Sequence, residues 1–242
     1  MVSDGKFNWR FGLSAIAIIV VIAALGIFSV YTAANGIRDS TRDELKSVAG
    51  VMATQINASD IAGLKPGDES SARYRALVDH LLTMRSMNDR IVNAYIMKVG
   101  TGGDISFIAD DLYFDDPAGS AKIGDSYLTP DKMEIFGALS LPTASQQVYT
   151  DKYGTFISGY APIDTDIKGS DGNTVAVLGV DMAATTYNQE IRSAGLAIVD
   201  ATLISMIIIV AILWFATRKC RDDLGDEEEM AGKKPRGGEK GD

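Results

Sequence analysis

Two long apolar stretches constrain this chain more than any other feature. No charged residue occurs from Phe11 to Ile37, and Ala201–Ala216 is uncharged as well. A helix of ~20 apolar residues is long enough to cross the ~30 Å hydrocarbon layer of a membrane. We therefore predict two transmembrane helices, Phe11–Ala34 and Ala194–Ala216, with one folded domain of residues 35–193 between them.

A cleaved signal peptide is the alternative interpretation of the first stretch. Lys6 and Arg10 supply a basic start, and Thr32-Ala33-Ala34 has the small residues of a cleavage site. The apolar core of a signal peptide is only about 7–15 residues long, however, and this stretch is longer. An uncleaved membrane anchor is favoured.

Basic residues near the two helices indicate the orientation, because cytoplasmic flanks carry an excess of Lys and Arg. Arg218 and Lys219 follow the second helix, and residues 1–10 contain the basic start, whereas Arg38 and Arg42 argue the other way. We predict that both termini are cytoplasmic and that the middle domain is extracytoplasmic, in a two-pass protein of the cell membrane.

The segment after the second helix is short and polar. Residues 217–242 include Asp226-Glu227-Glu228-Glu229 between basic clusters, and they predict a disordered cytoplasmic tail. They contain no pattern of a kinase, a cyclase or a methyl-accepting helix, so a separate signalling protein is expected to carry the output. Cys220, the single cysteine, excludes an intrachain disulfide and is either a free thiol or a palmitoylation site.

The middle domain is strongly acidic. Residues 35–193 carry 14 Lys and Arg against 22 Asp and Glu, which is a net charge of −8. Such a domain repels nucleic-acid phosphates, so cations or basic partners are favoured. We predict no enzyme, no cofactor and no metal site, since His80 is the only histidine and Gly100-Thr101-Gly102-Gly103 lacks the Lys of a phosphate loop.

Helical periodicity dominates the first part of the domain. Leu45, Val48, Met52 and Ile56 recur at steps of three and four, which predicts an amphipathic helix continuing from the first membrane span. This stripe could pack on its own domain or against the same stripe of a second chain in a homodimer, and both remain open. A second apolar stripe begins at Tyr74.

The pattern changes to strands at Ile91. We predict strands at residues 91–99, 105–109, 146–150, 155–163 and 174–182, with a short helix from Thr129 to about Leu139. Helices come first and mostly antiparallel strands follow. The predicted fold class is therefore α+β, with a long N-terminal helix against a sheet of about five strands.

Seven short segments occur in order between the two predicted membrane helices. They are Tyr74-Arg75-Ala76-Leu77, Asn93-Ala94-Tyr95-Ile96, Phe107-Ile108-Ala109-Asp110, Ile123-Gly124-Asp125, Tyr149-Thr150-Asp151-Lys152-Tyr153-Gly154, Ser158-Gly159-Tyr160-Ala161-Pro162-Ile163 and Val177-Leu178-Gly179-Val180-Asp181. Together they resemble the single Cache (PAS-like) extracytoplasmic sensor domains of prokaryotic histidine kinases, diguanylate cyclases and chemoreceptors. The resemblance covers roughly Arg38 to Glu190. It implies a small ligand between the sheet and its loops, with a signal passing to the flanking helices.

The resemblance also suggests ligand-binding residues. In amine-recognising members of the wider Cache group, a Tyr-x-Asp on one strand and an Asp on the last strand surround the ammonium, and Tyr149, Asp151 and Asp181 match. Carboxylates and an aromatic face suit a cation. Amino-acid binders also carry an Arg-x-Trp, which Pro130–Glu134 lacks. Asp151 could instead stabilise a turn, Asp181 end a strand, and Tyr149 fill the core.

Two further acidic features each have a functional and a purely structural interpretation. Asp110, Asp111, Asp115 and Asp116 could bind a hard cation, but they lack the EF-hand spacing, so a solvated acidic loop is favoured. Asp200 lies inside the second span. Either it has a functional role within the hydrocarbon layer, or its side chain simply reaches the membrane interface.

These features predict a receptor component that binds a small molecule and signals to a separately encoded partner. The alternatives are a membrane-anchored adaptor that binds another protein, and a truncated histidine kinase sensor without output.

Overall fold

A computed structural model describes residues 9–100, 102–164 and 176–232. It divides into two compact units. One comprises residues 34–192, called the domain below. The other contains the two apolar helical segments and is called the membrane unit.

The membrane unit is built from the apolar parts of two long helices. Helix α1 covers Trp9–Ala53 and helix α5 covers Ala184–Gly232. Both are long and apolar enough to cross a membrane, and none of the residues in their apolar windows is buried within the protein. Lipid is the environment in which such all-round apolar helices are stable.

Helix α5 extends beyond the predicted end of the second span. Residues 217–232 are helical, so the prediction of disorder from residue 217 was wrong for this part of the tail. Residues 233–242 lie outside the described residues, as does most of the polar loop before the last strand.

The domain is α+β, as the sequence predicted. After helix α1 the elements are α2 Ala58–Ile61, a 3-10 turn Asp68–Ser70, α3 Ala72–Arg85, β1 Ile91–Val99, β2 Ile105–Asp110, α4 Lys132–Gly137, β3 Thr143–Ala144, β4 Tyr149–Thr150, β5 Thr155–Pro162 and β6 Ala176–Ala183. The strands form one antiparallel sheet with the order β2-β1-β6-β5-β3, in which β4 also pairs with β5.

The sequence pattern missed β3 and overestimated β4. Both are two residues long, and alternation over so few positions has no measurable period.

One face of the sheet packs against α1 and α3. Leu45 and Met52 of the predicted stripe are buried there, so the stripe packs on its own domain. Gly159 of β5 allows this close approach, because a Cβ at that position would collide with the carbonyl oxygen of Leu45. The apolar core on this face is large and comes mainly from alternate residues of β1, β5 and β6.

The opposite face carries the aromatic and polar residues. Tyr95, Phe107, Tyr127 and Tyr160 form a second cluster of buried residues there, covered by α4 and by the loop that follows β2. This face positions the candidate site.

The prediction of a solvated acidic loop was wrong for two of its four members. Asp110 and Asp111 are buried, whereas Asp115 and Asp116 are exposed. Backbone N–H groups and an arginine satisfy the buried pair: Asp110 accepts from Leu112 N and Ala121 N, and Asp111 pairs with Arg85 and accepts from Ala94 N. In the described part of the chain, no group of His, Cys, Asp and Glu is arranged to hold a metal ion.

Candidate functional site

Asp181 is at the centre of the polar face because of the sheet register. It lies on β6 directly opposite Asn93 of β1 and directly opposite Ser158 of β5. Paired residues in neighbouring antiparallel strands project to the same face, so both side chains reach the same carboxylate. Ser158 Oγ donates to Asp181 Oδ1 at 2.6 Å, and Asn93 Nδ2 lies 3.4 Å from Asp181 Oδ2.

A third donor comes from a tyrosine on the same face. Tyr95 Oη donates to Asp181 Oδ1 at 2.8 Å. Asp181 is only 4% exposed. Burial raises the pKa of Asp181 to about 7, although hydrogen bonds from Ser158, Tyr95 and Asn93 oppose that rise. Its charge therefore changes near neutral pH.

Tyr149, the second predicted residue, lies behind this carboxylate in a cluster of hydroxyl groups. Its Oη is 2.8 Å from Ser158 Oγ, 3.2 Å from Tyr160 Oη and 3.4 Å from Tyr127 Oη. Burial raises the pKa of Tyr149, so the phenol stays protonated. Tyr149 therefore links Asp181 to the rest of the polar face through Ser158.

Asp151, the third predicted residue, combines a turn role with membership of the same network. Its Oδ1 accepts from the backbone N–H groups of Tyr153 at 2.8 Å and Gly154 at 3.1 Å, as the turn interpretation expected. Its Oδ2 accepts from Tyr127 Oη at 2.7 Å. One hydrogen-bonded network therefore connects all three predicted residues.

Asp131 belongs to this network too, and sequence reasoning missed it. Its Oδ2 accepts from Tyr160 Oη at 3.1 Å and also from Ser145 Oγ. Burial raises the pKa of Asp131 to about 6. The residue lies in the segment that was noted only for lacking an Arg-x-Trp, and an aspartate before a short helix resembles an ordinary N-cap. No local pattern distinguishes the two roles.

A small cavity adjoins Asp181. Its volume is about 20 Å³, which is room for one water molecule. Of the three predicted residues only Asp181 lines it, whereas Tyr149 and Asp151 lie behind Tyr127. The lining residues are Asn93, Tyr95, Phe107, Asp110, Leu112, Gly119, Tyr127, Tyr153 and Asp181.

Aromatic rings form most of the cavity wall. Phe107 is central, with ring centroids 5.6 Å from Tyr95, 4.9 Å from Tyr127 and 5.6 Å from Tyr153. No Lys or Arg is among the described residues that line the cavity. Aromatic faces and a carboxylate without a cationic partner make this space attractive to a small cation.

Asp110 contributes a second carboxyl group to the same wall. Burial raises its pKa to about 6, while hydrogen bonds from the backbone of Ala121 and Leu112 lower it. The sequence pattern contained the acidic run but did not indicate that Asp110 and Asp181 face one space, because they lie on β2 and β6, with β1 between them.

The domain also joins α1 and the start of α5 by an ion-pair bridge. Arg90, next to the first residue of β1, pairs with Glu44 of α1 and, at 2.7 Å, with Glu190 of α5. Asp181 is three residues before the first residue of α5. The candidate site and both helices that continue into the membrane unit are thus connected through β1 and β6.

No family model and no curated protein matches this sequence. Among solved structures it is similar to the sensor domain of DcuS from E. coli, at 13% identity and a TM-score of 0.43, covering 64% of this chain and 98% of that one. The sensor domain of the histidine kinase DctB from V. cholerae gives 10% identity and a TM-score of 0.46, covering 73% and 60%.

The periplasmic domain of RsbU from Chlamydia trachomatis is a third similar structure, at 12% identity and a TM-score of 0.34, covering 69% of this chain and 56% of that one. All three are sensor or periplasmic domains. At such identities and scores the similarity assigns neither a ligand nor an activity.

Proposed function

We propose that this chain is a two-pass membrane receptor whose extracytoplasmic domain binds a small cationic amine at Asp181. The observation that carries the proposal is a buried carboxyl group in an aromatic cavity that has no cationic side chain among its described lining residues. Buried charges in proteins are normally paired, so an ammonium group would supply the missing partner. Both termini would be cytoplasmic, as the basic flanks indicate.

The lining chemistry favours an ammonium over an anion or a neutral sugar. Asp181 and Asp110 would repel an anion, and the rings of Tyr95, Phe107 and Tyr127 offer negative faces to a cation. No arginine among the described lining residues is available for a carboxylate, so a simple amine fits better than an α-amino acid. Tyr149 and Asp151 would act by holding Tyr127 and Ser158 in place.

Ligand size follows from the volume of the cavity. A space of about 20 Å³ accepts a group the size of an ammonium ion, and larger amines would enter only if the segment from Leu112 to Gly119 moved outward. We propose that this segment, which contributes two lining residues, covers the ligand.

Signal transmission would use the strand that carries Asp181. An ammonium bound there would hold the carboxyl group in its charged form and shift its hydrogen bonds with Tyr95 and Ser158. Strand β6 leads directly into α5, and Arg90 ties Glu190 of that helix to Glu44 of α1. A displacement at the site would therefore change the position of the first turns of α5 relative to α1 within the domain. A separate signalling protein would detect this change.

Calorimetry tests the proposal with the full chain in mild detergent. Ammonium, methylammonium and a series of longer alkylamines would be titrated into the wild type, into Asp181→Asn and into Asp79→Asn. Asp79 is an exposed acid of α3 outside the cavity, so its variant removes the same charge without touching the lining.

We expect binding that Asp181→Asn abolishes and Asp79→Asn preserves. Amine binding that is equal in the wild type and Asp181→Asn would contradict the proposed site. Failure of every amine to bind would contradict the ligand class and favour the adaptor function instead.

A further inference from the structure

Asp200 is the single charged residue within the charge-poor part of α5, and the domain's chemistry does not involve it. Its side chain is exposed, and among the described residues it has no hydrogen bond or ion pair. Ionisable groups in the hydrocarbon layer are costly, and those that persist are usually paired or functional. The two questions are how deep Asp200 lies and which way it faces.

The contact between the two helices of the membrane unit determines which residue of α1 lies level with Asp200. A Cβ at Gly26 would lie 2.8 Å from Thr202 Oγ1, and one at Gly195 would lie 3.8 Å from Val30 Cγ1. The helices therefore run antiparallel, with Thr202 level with Gly26, and Asp200 is level with Phe28.

Both helices give the same depth. Phe28 is about 15 Å along α1 from Arg38, and Asp200 is about 12 Å along α5 from Arg192, the nearest charged residues toward the domain. A hydrocarbon layer of about 30 Å centred on residues 11–37 of α1, or on residues 193–217 between the basic residues Arg192 and Arg218 of α5, has its midplane about 6 to 8 Å from Asp200. Asp200 thus lies well inside the layer, and the interpretation that it reaches the interface is not supported by this register.

The direction follows from helix geometry. Ile198, Thr202 and Met206 are among the half-buried residues on the side of α5 that meets α1. Asp200 is two positions from both Ile198 and Thr202, a rotation of about 200° at 3.6 residues per turn, so it projects from the opposite side. Leu196 and Ile204, one turn away in either direction, are exposed on that side. The carboxyl group therefore faces lipid.

We propose that Asp200 is an intramembrane docking residue that pairs with a Lys or Arg on a transmembrane helix of a partner protein. Neither apolar span of this chain contains a Lys or Arg, so these spans cannot supply the cation. A second copy would bring only another Asp200 to the same depth, and like charges repel most strongly where the dielectric constant is low. The complementary group is a cation held at that depth by another helix.

This inference goes beyond the amine-sensing function and does not depend on it, because it rests on the membrane unit alone. A partner docked through Asp200 would lie beside α5 on the side away from α1. It would be placed to follow movements of the helix that continues from β6.

A designed peptide serves as the probe. The full chain, labelled with a donor dye at its single cysteine, Cys220, would be reconstituted in phosphatidylcholine vesicles with a leucine-rich helix of about 20 residues that carries an acceptor dye. One peptide has a single Lys one and a half turns from its centre, and the matched peptide has Leu there. Energy transfer measures association within the bilayer.

We expect the Lys peptide to associate about tenfold more tightly than the Leu peptide, which corresponds to the strength of polar contacts between membrane helices. Asp200→Asn should remove this difference, while Ser205→Ala, which alters another exposed polar residue of the same span, should leave it unchanged. Equal association of both peptides, or a difference that persists in Asp200→Asn, would overturn the proposal.

Self-association and cysteine labelling test the proposal further. Self-association of the labelled chain that falls in Asp200→Asn would assign the residue to contacts between copies and overturn the partner assignment. In a Cys220→Ser background, Asp200→Cys should resist a membrane-impermeant maleimide that labels Ser193→Cys readily. Equal labelling of the two cysteines would place Asp200 at the interface and refute its depth.

Discussion

Tyr95 Oη donates a hydrogen bond of 2.8 Å to Asp181 Oδ1, although the two residues are 86 positions apart in the sequence. The contact is possible because Gly179 is opposite Tyr95 in the β1–β6 register, and a side chain there would overlap the tyrosine ring. The ring therefore lies over β6 and brings its hydroxyl to the carboxyl group two residues further along. Gly179 is a positioning residue for the whole site.

Replacement of Gly179 by alanine should destabilise the fold and displace Tyr95. A Cβ at this position would lie 2.6 Å from Tyr95 Cζ, and overpacking of this kind costs about 1–3 kcal/mol. Gly50→Ala is the control, because its Cβ would make only an ordinary contact, 3.7 Å from Pro142 Cγ. Urea denaturation measures both variants, and equal free energies of unfolding would contradict the prediction.

The stability of the domain should fall as pH rises from about 4 to 7. The carboxyl group of an unfolded Asp has a pKa of about 3.9, whereas burial raises that of Asp181 to about 7. Between these values the folded state binds the additional proton, so the free energy of unfolding decreases with pH. Burial raises the pKa of Asp110 and of Asp131 to about 6, so both residues change the stability in the same direction.

Asp181→Asn isolates the contribution of one group to this profile. Its slope should be smaller than that of the wild type by about 1.4 kcal/mol per pH unit within that range. The variant should thus resemble the wild type near pH 4 and be the more stable of the two above pH 7. Parallel profiles from urea denaturation at successive pH values would show that Asp181 does not titrate in this way.

Amine affinity should have the opposite pH dependence. Only the ionised carboxylate pairs with an ammonium, so affinity should rise up to about tenfold per pH unit below pH 7 and level off above it. Calorimetry in buffers of different ionisation enthalpy should detect about one proton released per bound amine near pH 6. Binding that is constant from pH 5.5 to 7.5 without proton release would argue that the ammonium does not contact Asp181.

Removal of the Arg90 bridge should loosen the start of α5 more than it lowers global stability. Arg90→Gln would leave Glu44 and Glu190 without their cation, and we expect a loss of about 1 kcal/mol because the groups are partly exposed. Hydrogen exchange should accelerate in the first turns of α5. Lys46→Gln, which breaks the exposed pair with Asp43, provides the comparison and should leave that exchange unchanged.

Much of the site was accessible from sequence only as separate parts. The segments with Tyr149, Asp151 and Asp181 were identified, yet Tyr149 and Asp151 lie behind the cavity and Tyr127 lies in its wall. Asp131 and Asp110 resembled a helix cap and a member of a solvated run. Residues that form a hydrogen bond between distant segments have no regular spacing in the sequence, so no local pattern indicates the bond.

The sequence by itself determined the elements whose signals are local. Charge-free length predicted the two membrane helices, three-and-four periodicity predicted the helices of the domain, and alternating β-rich segments predicted its longer strands. Each of these signals reflects the free energy of burying one face or one stripe of a single element.

Only the tertiary structure decided what those elements bring together. The β1–β6–β5 register places Asn93 and Ser158 on either side of Asp181, and the Gly26–Thr202 contact places Asp200 level with Phe28 of α1. The physical reason is that register and helix contacts are set by packing between residues far apart in the chain. Shifting the strand register by one residue would preserve every local pattern and separate Asp181 from its partners, and shifting the helix contact would place Asp200 at another level of α1.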